Sequence, residues 1–578
     1  MPSYNDLLQL INSFEVYLGD PKSHETTINF QQSLEYDEQE LLAWPHVRKI
    51  QQWGFMEYLI PHHLGGKFDS VDVAYCLAKS ICRRDMTTGI ALGISFLAAL
   101  PIWVAGNIKQ QKKLAQKLRQ GDIAACALTE EEHGSDLMAN EVTASKCKEG
   151  WELSGRKWCV NFATFGQVAT ILCRTHDKGG PLGFSVFFLD KSTVKSGLNP
   201  SPKLPTLGVR GLDISGFSLQ QVFLPEEALV GEEKHGLEII YKSLQVSRTL
   251  CASFTVGGAD TALRLVLSFS LQRKLYGKTV YDIPAVKQRL GEQFAQLLIA
   301  DCTSLAVARA CSVIPEKLSF WSAIIKFLIP KMTEEIVEEC GIVMGARAYL
   351  RTTEWAMFQK IRRDIQVVGL FDGSSQVNLS LIAGSLLPQA GMRGSCSSNQ
   401  LAQLEHIFDL NNICPKFSME RLGLFTHAED DILAGLTVLE SEQIKPLVIA
   451  IRAEITRLDK QVMKLKEQKQ FDPRGLAAFR LAEEYCWIFA ASCCLHFWHY
   501  NQELLSKELW GLEWINLAIQ LILKKLHTNA GIESTLQESM ADHLCSFYQQ
   551  HKMFSVLPIN LAGFRGQTAE PSRLVLEV

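Results

Sequence analysis

A chain of 578 residues is too long for one ordinary domain and bounds the count at about three or four. Hydrophobic residues make up 47% and charged residues 21%, the balance of a soluble globular protein with sizeable cores. With 58 basic against 62 acidic side chains the net charge is -4, and no basic tail or stripe offers itself to nucleic acid. The 16 cysteines are scattered without Cys-x-x-Cys repeats, so neither a zinc site nor a disulfide framework is indicated. Reduced, buried thiols in a cytoplasmic protein are expected, with no metal. Asp6, Glu15 and Asp20 stand where an export signal would have a basic and then an apolar region.

From Met1 to about Asp122 apolar residues recur three and four apart, as in Leu7-Leu8-Leu10-Ile11 and Val71-Val73-Ala74-Leu77-Ala78. This predicts an N-terminal helical domain over 1–122, with Pro61-His-His-Leu-Gly-Gly66 as a loop. Residues 88–106 carry no charge and are about long enough to span a bilayer. Gly89, Gly93, Pro101 and the charged run 109–119 that follows favour a buried helix pair instead.

After Gly121-Asp122 the period shortens. Residues 123–128, 142–147, 151–160, 168–173, 184–189 and 217–223 read as strands bounded by Gly and Pro, a middle β domain over 123–232. Helical periodicity resumes at Gly236 and holds to about Leu387, broken at 277–284 and around Gly345, which predicts a helical domain over 233–390. Gly391-Met-Arg-Gly-Ser-Cys-Ser-Ser398 reads as a small-residue linker within 391–400. Five or so helices follow in an extension over 401–578. Its aromatic-rich run 485–500 is expected in a core or on an oligomer surface, because the uninterrupted apolar part is too short to span.

Four segments carry the chemistry. Ala127-Leu-Thr-Glu-Glu-Glu-His-Gly-Ser-Asp136 ends a strand on a Gly-Ser turn, whose N–H groups and hydroxyls can bond the pyrimidine edge and phosphates of a dinucleotide. Its Glu130–Glu132 run alone would pass as an acidic surface turn. Lys157-Trp-Cys-Val-Asn-Phe162 is the second segment. The third is a helix over 245–274 with Arg248 near its start and Arg273 near its end, running into Leu275-Tyr-Gly-Lys278. A guanidinium fork suits phosphate oxygens, although a lone Arg at a helix end is otherwise explained by the helix dipole. The fourth, Arg362-Arg-Asp-Ile-Gln-Val-Val-Gly-Leu-Phe-Asp-Gly-Ser-Ser-Gln-Val-Asn378, delivers the carboxylate of Asp372 from an apolar run onto a turn. Asp-Gly is a common turn dipeptide, and a solvated turn fits it equally well.

Together these segments resemble the acyl-CoA dehydrogenase flavoenzymes over residues 1–390. The resemblance implies an α+β fold: an N-terminal helical domain, a middle β-barrel domain and a C-terminal four-helix bundle, followed here by an additional all-α extension. It implies FAD, with Leu128 and Thr129 facing the isoalloxazine ring and Gly134 and Ser135 reaching the cofactor or the thioester arm. Val160 and Asn161 would lie beside the ring, Asn161 at the position that bonds flavin N5. Arg273 would bind the flavin pyrophosphate, usually of a neighbouring subunit, with Tyr276, Gly345, Ser374 and Gln376 as further cofactor contacts. Substrate contacts would fall on Ser135, Arg248, Phe371 and Gly373. The reaction implied is α,β-dehydrogenation of an acyl thioester of coenzyme A or an acyl or peptidyl carrier protein. Asp372 would remove the α-proton, FAD N5 would accept the β-hydride, and an electron-transfer flavoprotein would serve as acceptor for a homodimer or homotetramer.

Several positions depart from the family pattern. Asp372 stands where the family has Glu and is shorter by one methylene, about 1.5 Å; a misplacement of about 1 Å can cost on the order of a hundredfold in rate. Some members keep their base on the preceding long helix, where this chain has Ser247, which cannot substitute. Cys159 stands at a Trp position, Asn161 at a Thr, Pro284 and Ile342 at or near Gln, and Ala348 at a Gly. Such departures look like those of members serving polyketide and peptide assembly lines, whose acidic carrier would need a basic rim. Lys109, Lys112, Lys113, Lys117 and Arg119 are candidates for it, although a charged helix face is usually just solvated. Two other readings stay open: an oxygen-using flavin monooxygenase on the same fold, and a non-catalytic scaffold or assembly factor. The second is suggested by an extension similar in position and size to that of the very-long-chain members.

Overall fold

The computed structural model describes residues 3–177, 180–394, 396–425, 430–439 and 441–562; the end of the expected extension, 563–578, lies outside the described residues. Six helices open the chain: α1 (Tyr4–Leu18), α2 (Phe30–Glu38), α3 (Trp44–Gln52), α4 (Val71–Cys82), α5 (Met86–Ala105) and α6 (Ile108–Arg119). Reciprocal caps start two of them, Ser3 with Asp6 on α1 and Asn107 with Gln110 on α6. The uncharged stretch 88–106 is one helix, not a pair. Asp85 caps α5 by accepting from the N–H groups of Thr87 and Thr88, and the helix runs through Pro101 to Gly106. Little more than the last turn follows the proline, so its missing N–H weakens the helix only near the end. α5, Gly236–Gln272 and Pro284–Val313 are each long and apolar enough to cross a membrane by length and composition, and all three are packed inside the protein.

The middle of the chain forms one mixed sheet: β1 (Ala124–Ala127), β2 (Thr143–Cys147), β3 (Gly150–Asn161), β4 (Val168–Arg174), β5 (Phe184–Asp190), β6 (Leu198–Ser201), β7 (Ile214–Pro225) and β8 (Leu229–Val230). The path runs β6-β7-β3-β2-β4-β5-β8, with β1 parallel to β4. The sequence reading missed β6 and β8: one carries Pro200 at the sheet edge, and the other has two residues. β3 slips register against β7 between Leu153 and Gly155 and again between Trp158 and Val160. The residue inside the second slip is Cys159, at φ +54°. Such a bulge turns the strand and re-aims its side chains.

The helices resume as α7 (Gly236–Gln272), α8 (Pro284–Val313), α9 (Leu318–Met344), α10 (Met357–Asp364) and α11 (Ser375–Gly391). α7 is 37 residues long and packs against α4, α5, α8 and α9, which makes it the axis of the molecule. Seven further helices are described where about five were expected: α12 (Ser398–Phe408), α13 (Asp431–Ala434), α14 (Lys445–Glu467), α15 (Leu476–Asn501), α16 (Lys507–Trp510), α17 (Glu513–Leu526) and α18 (Ser534–Gln549). The expected linker is anchored: Arg393 forks onto Asp459 at 2.9 and 3.2 Å, and the Cys396 thiol donates to the Asp431 carbonyl. Ser395 within it lies outside the described residues. The aromatic run of α15 is core, with Trp487, Phe489, Phe497 and Trp498 all buried.

Buried charges join these layers. Asp364 accepts from Lys360 Nζ and from the Val209 N–H at 2.6 Å, Lys360 also reaches Asp85 at 2.8 Å, and Arg363 reaches Asp37 at 2.7 Å. Bundle, sheet and N-terminal helices thus meet directly upstream of Asp372. A second knot holds the tail beyond α18. Asp301 takes Lys79 at 2.6 Å, Tyr75 OH at 3.0 Å and the Val556 N–H at 3.1 Å, while Asp260 takes Arg83 at 2.6 Å and the Phe554 N–H at 2.7 Å. Removing one partner of a buried pair strands the other charge, typically at about 3–5 kcal/mol. Asp301→Ala is therefore expected to lower unfolding stability by about that amount, read from denaturant midpoints. It should also make the tail near Val556 newly cleavable in limited proteolysis.

Candidate active site

The loop that carries the acid is fixed at both ends before the acid is reached. Asp364 is locked upstream, residues 365–369 wind as a single 3₁₀ turn, and Ser374 caps α11 by accepting from the Val377 N–H. Between them Asp372 and Gly373 both take positive φ, +54° and +93°. Asp is one of the few side-chain-bearing residues that enters this left-handed region at modest cost. Gly373 is required more strictly: a Cβ there would meet Arg248 Nη2 at 2.9 Å.

Two buried cations hold this loop by its backbone. Arg248 on α7 donates from Nε to the Asp372 carbonyl at 2.8 Å, and Lys326 on α9 donates to the carbonyls of Val368 and, at 3.4 Å, Gly373. Arg248 is 6% and Lys326 1% exposed. Burial pulls both below their ordinary pKa values, and the neighbouring Asp372 carboxylate opposes the shift in each case. One turn along α7 from Arg248, the Cys251 thiol donates to Asp372 Oδ2 at 3.5 Å. Burial, reinforced by Asp372, pushes that thiol well above its usual range and keeps it protonated. The carboxylate faces a small apolar cavity of about 40 Å³ between α4, α5 and α7, walled by Ala78, Gly93, Leu250, Phe254 and Phe371 among others.

Across the cleft lies the end of β1 and the loop after it. Burial, with Asp372 adding to it, pushes the Cys126 thiol on β1 up to about 12, and Tyr241 feels both Arg248 on α7 and Asp136 of the loop. The loop is tied down from beneath: Lys157 Nζ donates to the Leu128 carbonyl at 3.0 Å and Glu130 at 2.8 Å, Asn140 Nδ2 donates to Leu128 at 2.6 Å, and the Trp158 N–H donates to the Thr129 carbonyl at 3.0 Å. Burial would raise Glu130, but Lys157 and the Glu141 and Val142 N–H groups bring it below the usual carboxylate range. Glu130 is therefore a buried anchor rather than part of an acidic surface turn. Gly134 and Ser135 remain exposed at the tip.

Asn161 Oδ1 is buried without a hydrogen-bond partner among the described residues. A buried carbonyl oxygen left unclaimed suits an N–H on the polar edge of a flavin ring. Val160 is buried in β3 and Cys159 is exposed on its bulge, which leaves no indole wall at that position. Ser374 is occupied as a helix cap, and Gln376 is exposed on the first turn of α11.

Three expected cofactor residues stand apart on the surface. Arg273 ends α7, Tyr276 at the tip of the hairpin after it is 97% exposed, and Gly345 caps α9 in the open. The expected basic rim is largely spent: Lys113 and Lys117 pair with Asp190, and Arg119 forks onto Glu57. Lys109 and Lys112 are exposed. The sequence reading missed Cys251, Lys326 and Phe254. Only Lys326 had a visible signal, a single cation inside the apolar run 318–330.

A helical block, a sheet and a helical bundle, with an acid loop facing a strand end, form the three-part α+β architecture expected of an acyl-CoA dehydrogenase-like flavoenzyme. Residues 125–222 match the family profile of the acyl-CoA dehydrogenase middle domain, and residues 234–387 that of the acyl-CoA dehydrogenase C-terminal domain. The chain belongs to the acyl-CoA dehydrogenase family, whose cofactor is FAD, and is an oxidoreductase acting on CH–CH donors. It is 26% identical over 343 residues to the caffeyl-CoA reductase-Etf complex subunit CarC of Acetobacterium woodii, covering 59% of this chain and 88% of that one. It is 25% identical over 364 residues to the human mitochondrial short-chain specific acyl-CoA dehydrogenase, covering 62% and 86%. An acyl-CoA dehydrogenase complexed with FAD from Bacillus anthracis superposes at a TM-score of 0.70 and 18% identity over 94% of both chains, so the shared fold includes most of the helical extension. The prolyl acyl carrier protein oxidase AnaB superposes at 0.59 with 22% identity, over 66% of this chain and 98% of its own.

Gly373→Ala is expected to cut turnover at least tenfold and lower the melting temperature, because a Cβ at positive φ costs about 1–2 kcal/mol and also displaces Arg248. A second prediction concerns Glu334 on α9, beside Gly369. Burial, then Glu335 and Glu338, raises its carboxyl to about 7. A carboxyl raised in the folded state binds its proton more tightly there than when unfolded, so stability falls as pH rises from about 4.5 through 7. Glu334→Gln should melt higher than the parent above pH 7 and show a flatter melting profile between pH 5 and 8, pH values spanning about that titration.

Proposed function

We propose that this protein dehydrogenates an acyl thioester between its α and β carbons, with Asp372 as the base that removes the α-proton. The observation that carries the reading is a carboxylate fixed by its own backbone at the polar end of an apolar cavity. The α-proton of a thioester is weakly acidic, so its base must be close, and developing enolate charge must meet a donor. The Asp372 N–H is the protein's own donor for that oxygen. Arg248 and Lys326 keep the loop from retreating, which lets a short acid do work that otherwise needs a longer one.

Leu128, Thr129, Gly134, Ser135, Val160, Asn161, Ser374 and Gln376 would hold FAD in the cleft. Arg273, Tyr276 and Gly345 lie outside it and would serve the cofactor of a neighbouring copy in a homodimer or homotetramer. Bound FAD supplies the acceptor for the β-hydride. Ser135 and Arg248 with Phe371 and Gly373 would frame the thioester. The relative CarC belongs by name to a complex with an electron-transfer flavoprotein, which supports such a flavoprotein as the electron acceptor here. With Lys113, Lys117 and Arg119 already paired, a coenzyme A thioester fits better than an acidic carrier protein. A cytoplasmic setting completes the reading.

The test is anaerobic mixing of the FAD-loaded protein with acyl-coenzyme A, without nicotinamide. Wild type should lose its yellow absorption, and Asp372→Asn should keep its flavin yet bleach at least a hundredfold more slowly. Equal bleaching by the mutant would remove Asp372 from the role. A requirement for nicotinamide would favour a monooxygenase instead.

A further inference from the structure

The cavity beside Asp372 has a built-in length. Its polar lining, Asp372, Cys251 and Ser247, sits together at the acid end, and the Ser247 hydroxyl is turned back onto the Leu244 carbonyl of its own helix. The remaining walls are hydrocarbon or glycine backbone. On α7 the acid is met by Cys251, and the next residue on the same face is Phe254.

Phe254 does more than line the wall. A Cβ added to Gly93 of α5 would lie 2.6 Å from its Cζ, so the ring reaches from α7 to the backbone of the facing helix and bridges the gap between them. The cavity's 40 Å³, at about 10–15 Å³ for each water-sized group, takes roughly three such groups, so about three carbons beyond an α-carbon held at Asp372 fill it up to that ring. We infer that Phe254, seated on Gly93, is the end stop of the acyl cavity, and that the acyl group is a short hydrocarbon chain of about four to six carbons. This rests on the acyl-thioester reading above and adds the substrate's size and polarity to it.

Calorimetric titration of the full-length, FAD-loaded protein with non-oxidisable 3-thia-acyl-coenzyme A analogues of graded length tests the inference without relying on turnover. Affinity should climb about fourfold per methylene up to the wall and then fall at least tenfold for the two next longer members. Phe254→Ala should move that break outward by two to four carbons, Phe254→Leu by fewer, and Gly93→Ala should move it inward by pressing the ring into the cavity. A wild-type profile that keeps rising past ten carbons would overturn the end stop while leaving the function in place. So would a profile unchanged in both Phe254 variants at unaltered melting temperature. Binding of no analogue at any length would sink the acyl-thioester reading along with it.

Discussion

The grip of two buried cations on one stretch of backbone is what the site depends on. Taking a guanidinium and an ammonium out of water costs several kcal/mol per ion, and here the offsetting partners are carbonyl dipoles of residues 368–373 and the Asp372 carboxylate. Neither cation can relax without stranding its charge, and the loop cannot shift without releasing both. Position is thereby encoded in desolvation. α7 supplies one hand of the grip and α9 the other, so the acid is tied to the long axis of the bundle.

That rigidity explains how a short acid can stand where a longer one is usual in the family. A flexible Glu finds its proton by side-chain reach, whereas Asp372 is placed by its φ of +54°, by Arg248 on its carbonyl and by the Cys251 thiol on its carboxylate. Asp tolerates the left-handed conformation better than most residues with a Cβ. Residue choice and backbone conformation therefore suit each other. Immediately upstream, the Arg363-Asp364 pair draws three layers of the molecule together, so the loop inherits a fixed starting point from the whole fold.

Much of this could be read from the sequence, and the parts that could not have physical causes. Apolar runs bounded by Gly and Pro exposed the long strands β3, β4, β5 and β7, and the Gly-Ser and Asp-Gly turns marked the loops on both sides of the cleft. Pro101 argued for a break in α5 that does not occur, because so little helix remains beyond it. Arg393 looked like part of a slack linker, and its partner Asp459 lies too far along the chain for local pattern to find. Taken alone the Glu130–Glu132 run passes as a surface turn, but Lys157 on β3 lies beneath Glu130 and holds it buried. Cys251 and Phe254 sit in an ordinary apolar helix face, and only the neighbouring α5 and the acid loop give them meaning. Local chemistry was legible; chemistry assembled from distant helices was not.

The central claim is that Asp372 removes a proton from the carbon next to a thioester carbonyl. The direct measurement is deuterium uptake at the α-carbon of butanoyl-coenzyme A in heavy water, followed by mass spectrometry on the FAD-loaded protein. Wild type should exchange the α-position, and Asp372→Asn, with its flavin retained, should exchange at least a hundredfold more slowly. Equal exchange by the two proteins would contradict the assignment.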